Sequence, residues 1–152
     1  MGYETRERIR VLKDLGRSER SAGELEAARS LYEEAALLCR AEGHAVLLAH
    51  TLRHLGDINR EAGRLDVAER CYDEALGIYR DEIHRRPLDV ANALRSVALL
   101  REAQAEADQA QALWEEARAL YADVGIQEGV DECCDHLAEV SEASRSGAAT
   151  AR

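Results

Sequence analysis

The amino-acid sequence predicts an all-α fold, a solenoid of three helix hairpins closed by a seventh helix. Three observations carry this. The chain repeats itself: Leu12, Leu15, Gly16, Gly23, Leu25, Ala28, Tyr32 and Ala35 recur forty residues later as Leu52, Leu55, Gly56, Gly63, Leu65, Ala68, Tyr72 and Ala75. Forty-two residues further on stand Leu94, Val97, Ala98, Ala105, Ala107, Ala110, Trp114 and Ala117. Self-similarity at a fixed period of this size marks a stacked-repeat architecture. Within each half-repeat the apolar residues keep helical spacing, as in Leu48, Leu52, Leu55 and Ile58. The composition agrees: the 152 residues include no Phe, one Trp and one Pro, and Ala and Leu dominate the apolar fraction. Such a chain favours helix and lacks the β-branched, turn-rich make-up of a β-sandwich.

The elements follow in order. A first helix near 4–22 is carried by Leu12, Leu15 and Gly16 and stopped by Gly23, which tolerates the positive φ of a helix terminator. A second, 25–41, runs through Leu25, Ala28, Tyr32 and Ala35 to Gly43. The third, 44–62, and fourth, 65–84, are divided by Gly63; Cys71, Tyr72, Ala75, Leu76 and Tyr79 give the fourth its apolar face. Pro87 suits the first turn of a fifth helix over 87–104, where a missing N–H costs nothing. A sixth, 107–123, carries Ala110, Trp114 and Ala117 and ends before Gly125. A further offset of forty takes Leu94, Val97 and Ala98 to Cys134, Leu137 and Ala138 in a closing helix, 127–143, so that Cys134 and Leu137 are expected on its buried side. Residues 1–143 thus read as a single repeat domain, with repeats near 4–41, 44–84 and 87–123, and 144–152 as a flexible tail.

The motif Leu-x-x-Leu-Gly at Leu12–Gly16 and Leu52–Gly56, followed by Ala-x-x-x-Tyr-x-x-Ala at Ala28–Ala35 and Ala68–Ala75, resembles the tetratricopeptide repeat (TPR) family, with Trp114 in the aromatic position of the third copy. The period of 40 to 42 is longer than the roughly 34 residues usual in that family, and Arg40, Arg80 and Ala122 replace its usual proline. Both departures fit longer helices, as in kinesin light chains, Pins-type adaptors and bacterial regulators with peptide-binding repeats. The resemblance implies a right-handed α-solenoid whose first helices line a concave face. It also implies a scaffold for protein–protein interaction and no enzyme.

The stripe left outside the core identifies the candidate site: Arg10, Lys13, Asp14, Arg17 and Arg20, then His50, Arg53, His54, Asp57 and Arg60, then Asn92, Arg95, Ser96, Leu99 and Glu102. These carry seven basic and three acidic residues in a chain of net charge −10, whereas Glu132, Asp135, His136, Glu139 and Glu142 make the closing stripe acidic. Converging guanidinium groups grip carboxylates in pairs. An acidic peptide or protein segment is therefore the expected ligand of Arg10, Lys13, Arg17, His50, Arg53, His54, Arg60, Asn92, Arg95 and Leu99. Lys13, Arg53 and Arg95 stand in equivalent columns, with Arg53 and Arg95 as the centre. The alternative is a self-assembling protein, such as a homodimer, that pairs through the acidic closing helix. The carboxylate-clamp subset of the family is not matched, because of its Lys/Asn/Asn/Lys/Arg set only Lys13 is in place, and Arg17, His54, Asn92 and Ser96 hold the other positions.

His50 and His54 have metal-compatible spacing, with only His84 or Cys71 to add a ligand. Cys39, Cys71, Cys133 and Cys134 form no CxxC pair and read as reduced core thiols. No Gly-rich phosphate loop, HExxH or GxSxG occurs. No cofactor, metal, nucleic acid or membrane partner is expected, since the charge is acidic, aromatics are few and no apolar run approaches a membrane span. The N-terminal segment lacks the apolar core of a signal peptide, which points to the cytoplasm. Nineteen Arg against one Lys, beside abundant Ala, point to a GC-rich bacterial gene.

Overall fold

The computed structural model describes residues 2–81 and 86–150, with side chains described up to residue 147. Among them are seven helices and no strand: α1 (Tyr3–Ser21), α2 (Leu25–Ala41), α3 (Ala45–Glu61), α4 (Leu65–Arg80), α5 (Pro87–Ala103), α6 (Ala107–Asp123) and α7 (Gln127–Thr150). The protein is an all-α helical repeat. The chain forms two compact units, Met1–Asp81 with α1 to α4 and Glu82–Arg152 with α5 to α7. Residues 82–84, expected at the end of the fourth helix, lie outside the described residues.

In the first unit α1 packs on α2, α2 on α3 and α3 on α4. The repeat register places Tyr32 and Tyr72 at equivalent core positions, each 1% exposed. Each ring lies where its hairpin's first helix has no side chain. A Cβ added to Gly16 would come within 2.7 Å of the Tyr32 ring, and one at Gly56 would collide with Tyr72. The glycines of Leu-x-x-Leu-Gly are thus sockets for the aromatics sixteen residues later. Gly23, Gly43 and Gly63 close the turns with positive φ, and the Glu24 N–H reaches back to the Glu19 carbonyl at 2.9 Å in a Schellman-type cap.

In the second unit α5 packs on α6 and α6 on α7. Trp114 is fully buried, as its offset requires, and Pro87 stands in the first turn of α5. The closing helix departs from expectation in two ways. Cys133, not Cys134, is buried, together with Val140; Leu137 is half-buried and Cys134 is exposed. The forty-residue register still relates α5 to α7, but Leu94 is buried and its counterpart Cys134 is not. No described helix of this unit covers that side of α7. In addition, α7 continues as helix to Thr150, through the segment expected to be a flexible tail. Residues 142–147 are exposed, so this stretch is held by its own backbone hydrogen bonds and not by packing.

Candidate functional site

The stripe residues of the first unit lie on α1 and α3, and burial separates them. Lys13, expected in solvent, is only 9% exposed. Its ammonium hydrogen-bonds His50 Nδ1 at 2.8 Å, and burial lowers its pKa from the usual lysine range. The His50 and His54 rings meet edge-on with centroids 4.7 Å apart, and His54 lies against the Tyr32 ring at 5.6 Å. Burial first, then the neighbouring Arg53, His50, Lys13 and Arg20, push the His54 pKa down to about 2. The histidine pair thus faces a lysine and an aromatic. No group of three potential metal ligands occurs among the described residues, and His84 lies outside them.

One buried carboxylate serves this basic face. Asp57 accepts a hydrogen bond from the Tyr72 hydroxyl at 2.7 Å and is faced by Arg20 and Arg53, each at 3.7 Å, and by His54 at 4.0 Å. Arg20 also donates to Glu61, Arg53 meets His54 Nε2 at 3.2 Å, and Arg60 donates to the Tyr72 hydroxyl at 3.4 Å. Nearer the start of α1, Arg10 is paired with Glu7 and Asp14, and Arg17 with Asp14 at 3.3 Å. A cavity of about 250 Å³ opens here, lined by Arg6, Ile9, Arg10, Lys13, Asp14, Arg17 and Leu47. Arg6 was not among the expected site residues, because it lies outside the repeat-derived stripe.

The second unit treats its stripe differently. Arg95 donates to both carboxylate oxygens of Glu132, at 2.7 and 2.6 Å, and this lowers the Glu132 pKa. The pair repeats the 37-residue separation of Lys13 and His50. Asn92 accepts from the Tyr121 hydroxyl at 2.8 Å, Ser96 is fully buried, and Leu99 is half-buried. The stripe therefore does not present Arg95, Asn92 and Ser96 as a row of open ligands. Instead a Trp–Glu–His cluster forms. The Trp114 indole N–H donates to Glu102 at 2.6 Å, His136 Nδ1 lies 2.9 Å from the same oxygen, and the two rings stack with centroids 4.3 Å apart. The repeat offsets held a signal for this cluster: His54 and His136 are equivalent, and each lies on the aromatic twenty-two residues earlier.

Comparison with known proteins matches this architecture. The tetratricopeptide repeat model matches residues 7–81. These residues belong to the tetratricopeptide repeat family. A Podospora anserina protein described as a kinesin light chain, with nearly identical TPR-like repeats, superposes with a TM-score of 0.78 at 16% identity, over 95% of this chain and 69% of that one. The first TPR of Spaghetti (RPAP3), bound to the HSP90 peptide SRMEEVD, gives 0.70 at 16% identity, over 91% and 94%. BtubC (BKLC) of P. vanneervenii gives 0.67 at 18% identity, over 90% of this chain; the chain spans 64% of that protein's length. No curated protein sequence matches the chain at a significant level. At these identities the TPR solved structures share the fold. No described helix is long and apolar enough to cross a membrane.

Proposed function

We propose that the first unit is a protein-interaction module that holds an acidic peptide segment against the α1–α3 face. One observation carries this: a desolvated lysine lining a cavity ringed by arginines. Among the described residues no carboxylate stands within ion-pairing distance of Lys13, whose hydrogen bond goes to a histidine. A buried ammonium without a counter-ion is destabilised, and an entering carboxylate supplies the missing charge. Arg6, Arg10 and Arg17 surround the opening, the last two sharing Asp14, so that the cations outnumber the one carboxylate of the lining; Ile9 and Leu47 offer an aliphatic wall to the residue bearing the entering carboxylate. His50, Arg53, His54 and Arg60 extend the basic face along α3. That a structural neighbour carries a peptide with three acidic residues supports the same ligand class.

The test is fluorescence anisotropy of labelled SRMEEVD and of a control with its three acidic residues changed to Lys. The acidic peptide should bind, more weakly as salt rises. Arg6→Glu with Arg17→Glu should weaken it at least about tenfold, as two exposed ion pairs of about 1 kcal/mol each require. Equal binding of the control, or wild-type affinity in the double variant, refutes the proposal.

A further inference from the structure

The second unit has its own cavity, of about 410 Å³, between the α5–α6 turn and the C-terminal half of α7. Ala105, Ala107, Val140 and Ala143 give it an apolar wall, and Glu102 and Glu139 contribute carboxylates. Its volume lies in the range of ordinary ligand pockets. Glu102 is held in place by the Trp114 N–H and by His136 Nδ1, which lies 2.9 Å from one carboxylate oxygen and 3.2 Å from the other; each carboxylate oxygen has two lone pairs, so the second keeps room for a further donor. Glu139 is exposed and makes no ion pair or hydrogen bond among the described residues. Residues 82–152 carry fourteen acidic and seven basic side chains, a net −7.

The turn beside the cavity adds an independent observation. Gly23, Gly43, Gly63 and Gly125 occupy the left-handed position in the α1–α2, α2–α3, α3–α4 and α6–α7 turns, with φ between 66 and 82°. At Ala105 the same position carries a methyl group, at φ 59°. A non-glycine residue there is strained, and in this turn it is one of the residues that line the cavity.

We propose that this cavity docks an arginine-bearing segment of a partner protein, with the aliphatic stem on the alanines and Val140 and the guanidinium between Glu102 and Glu139. Charge complementarity selects the occupant, and a planar fork of donors meets two carboxylates better than a point charge does. The apolar wall suits the methylene stem. The site is built from residues of the second unit alone and selects the charge opposite to that proposed for the first unit's basic face.

The experiment titrates the full chain with a synthetic peptide of alternating Arg and Leu, reading the emission of Trp114, the sole tryptophan, whose indole bonds a carboxylate of the site. A Glu–Leu peptide of equal length and free arginine amide serve as competitors. The basic peptide should bind and shift the emission, and neither competitor should displace it at equal concentration. Glu139→Lys, on an exposed residue, should weaken binding at least tenfold. Ala105→Gly should raise the melting temperature by relieving the turn, yet weaken binding severalfold by removing the side chain of a lining residue. The proposal is overturned if the wild-type chain does not bind the peptide, if Glu139→Lys binds at wild-type affinity, or if Ala105→Gly leaves both stability and affinity unchanged. It is also overturned if arginine amide competes mole for mole, since the site would then take a small free cation and not a protein segment.

Discussion

Replacing Tyr72 by Phe removes one oxygen atom, and the structure sets the cost. The hydroxyl lies 2.7 Å from Asp57 Oδ1 and the ring is 1% exposed. Without it the buried Asp57 carboxylate has the guanidinium groups of Arg20 and Arg53, each at 3.7 Å, as its nearest charged partners, and the neutral His54 ring at 4.0 Å. A hydrogen bond to an ionised group contributes about 1.5–3 kcal/mol, and a buried acceptor left unpaired stays at the upper end. Tyr72→Phe should therefore cost about 2–3 kcal/mol. Tyr72→Ala also removes a ring seated on Gly56, which has no side chain to fill the space. Large-to-small core truncations of this kind cost about 3–5 kcal/mol. Urea denaturation followed by far-ultraviolet circular dichroism measures both. A double-mutant cycle with Asp57→Ala isolates the pair, and the coupling should exceed about 1 kcal/mol. If Tyr72→Phe falls within about 0.5 kcal/mol of wild type, the range of ordinary surface substitutions, the hydroxyl does not hold Asp57 and the reasoning fails.

Two further outcomes are expected beyond the binding experiments. His54 has a folded-state pKa of about 2 against 6.5 for the free side chain, so the unfolded chain takes up a proton that the native state refuses. Stability contributed by neutral His54 is complete above pH 6.5 and declines as pH falls below it, by about 1.4 kcal/mol per unit; His54→Gln should flatten the acid limb of a stability–pH profile, and an unchanged slope contradicts the burial. Burial pushes the thiols of Cys71 and Cys133 up to about 11 and also raises that of Cys39, while Cys134 is exposed. A disulfide-exchange reagent should modify one thiol rapidly in the native protein and four under denaturant, and Cys134→Ser should abolish the rapid phase; rapid reaction of two or more thiols refutes this assignment.

The sequence reads well where the physics is local. The ranges 25–41 and 107–123 coincide with α2 and α6, because helix formation, glycine turns and the first-turn proline depend on residues a few positions apart. The burial of Tyr32, Tyr72 and Trp114 followed from the offset alone, since stacked repeats give equivalent residues equivalent neighbours. The candidate site was legible as a face but not as a set of available groups. Lys13 was expected in solvent and is buried; Arg95 was expected at the centre of a groove and is bound to Glu132.

Taken alone, then, the sequence determined the helical class, the period, the turns and the aromatic positions, because backbone hydrogen bonding and apolar periodicity act over a few residues and repeat. Only the tertiary structure decided which charges meet. Lys13 finds His50, and Arg95 finds Glu132, across 37 residues and between different helices. Periodicity places a side chain on a face about 100° wide, whereas an ion pair forms or fails over a difference of about 1 Å. That difference is set by the stagger and rotation of one helix against the next. The structure likewise decided that Cys133 and not Cys134 enters the core. That depends on what does or does not pack alongside, which no single helix encodes.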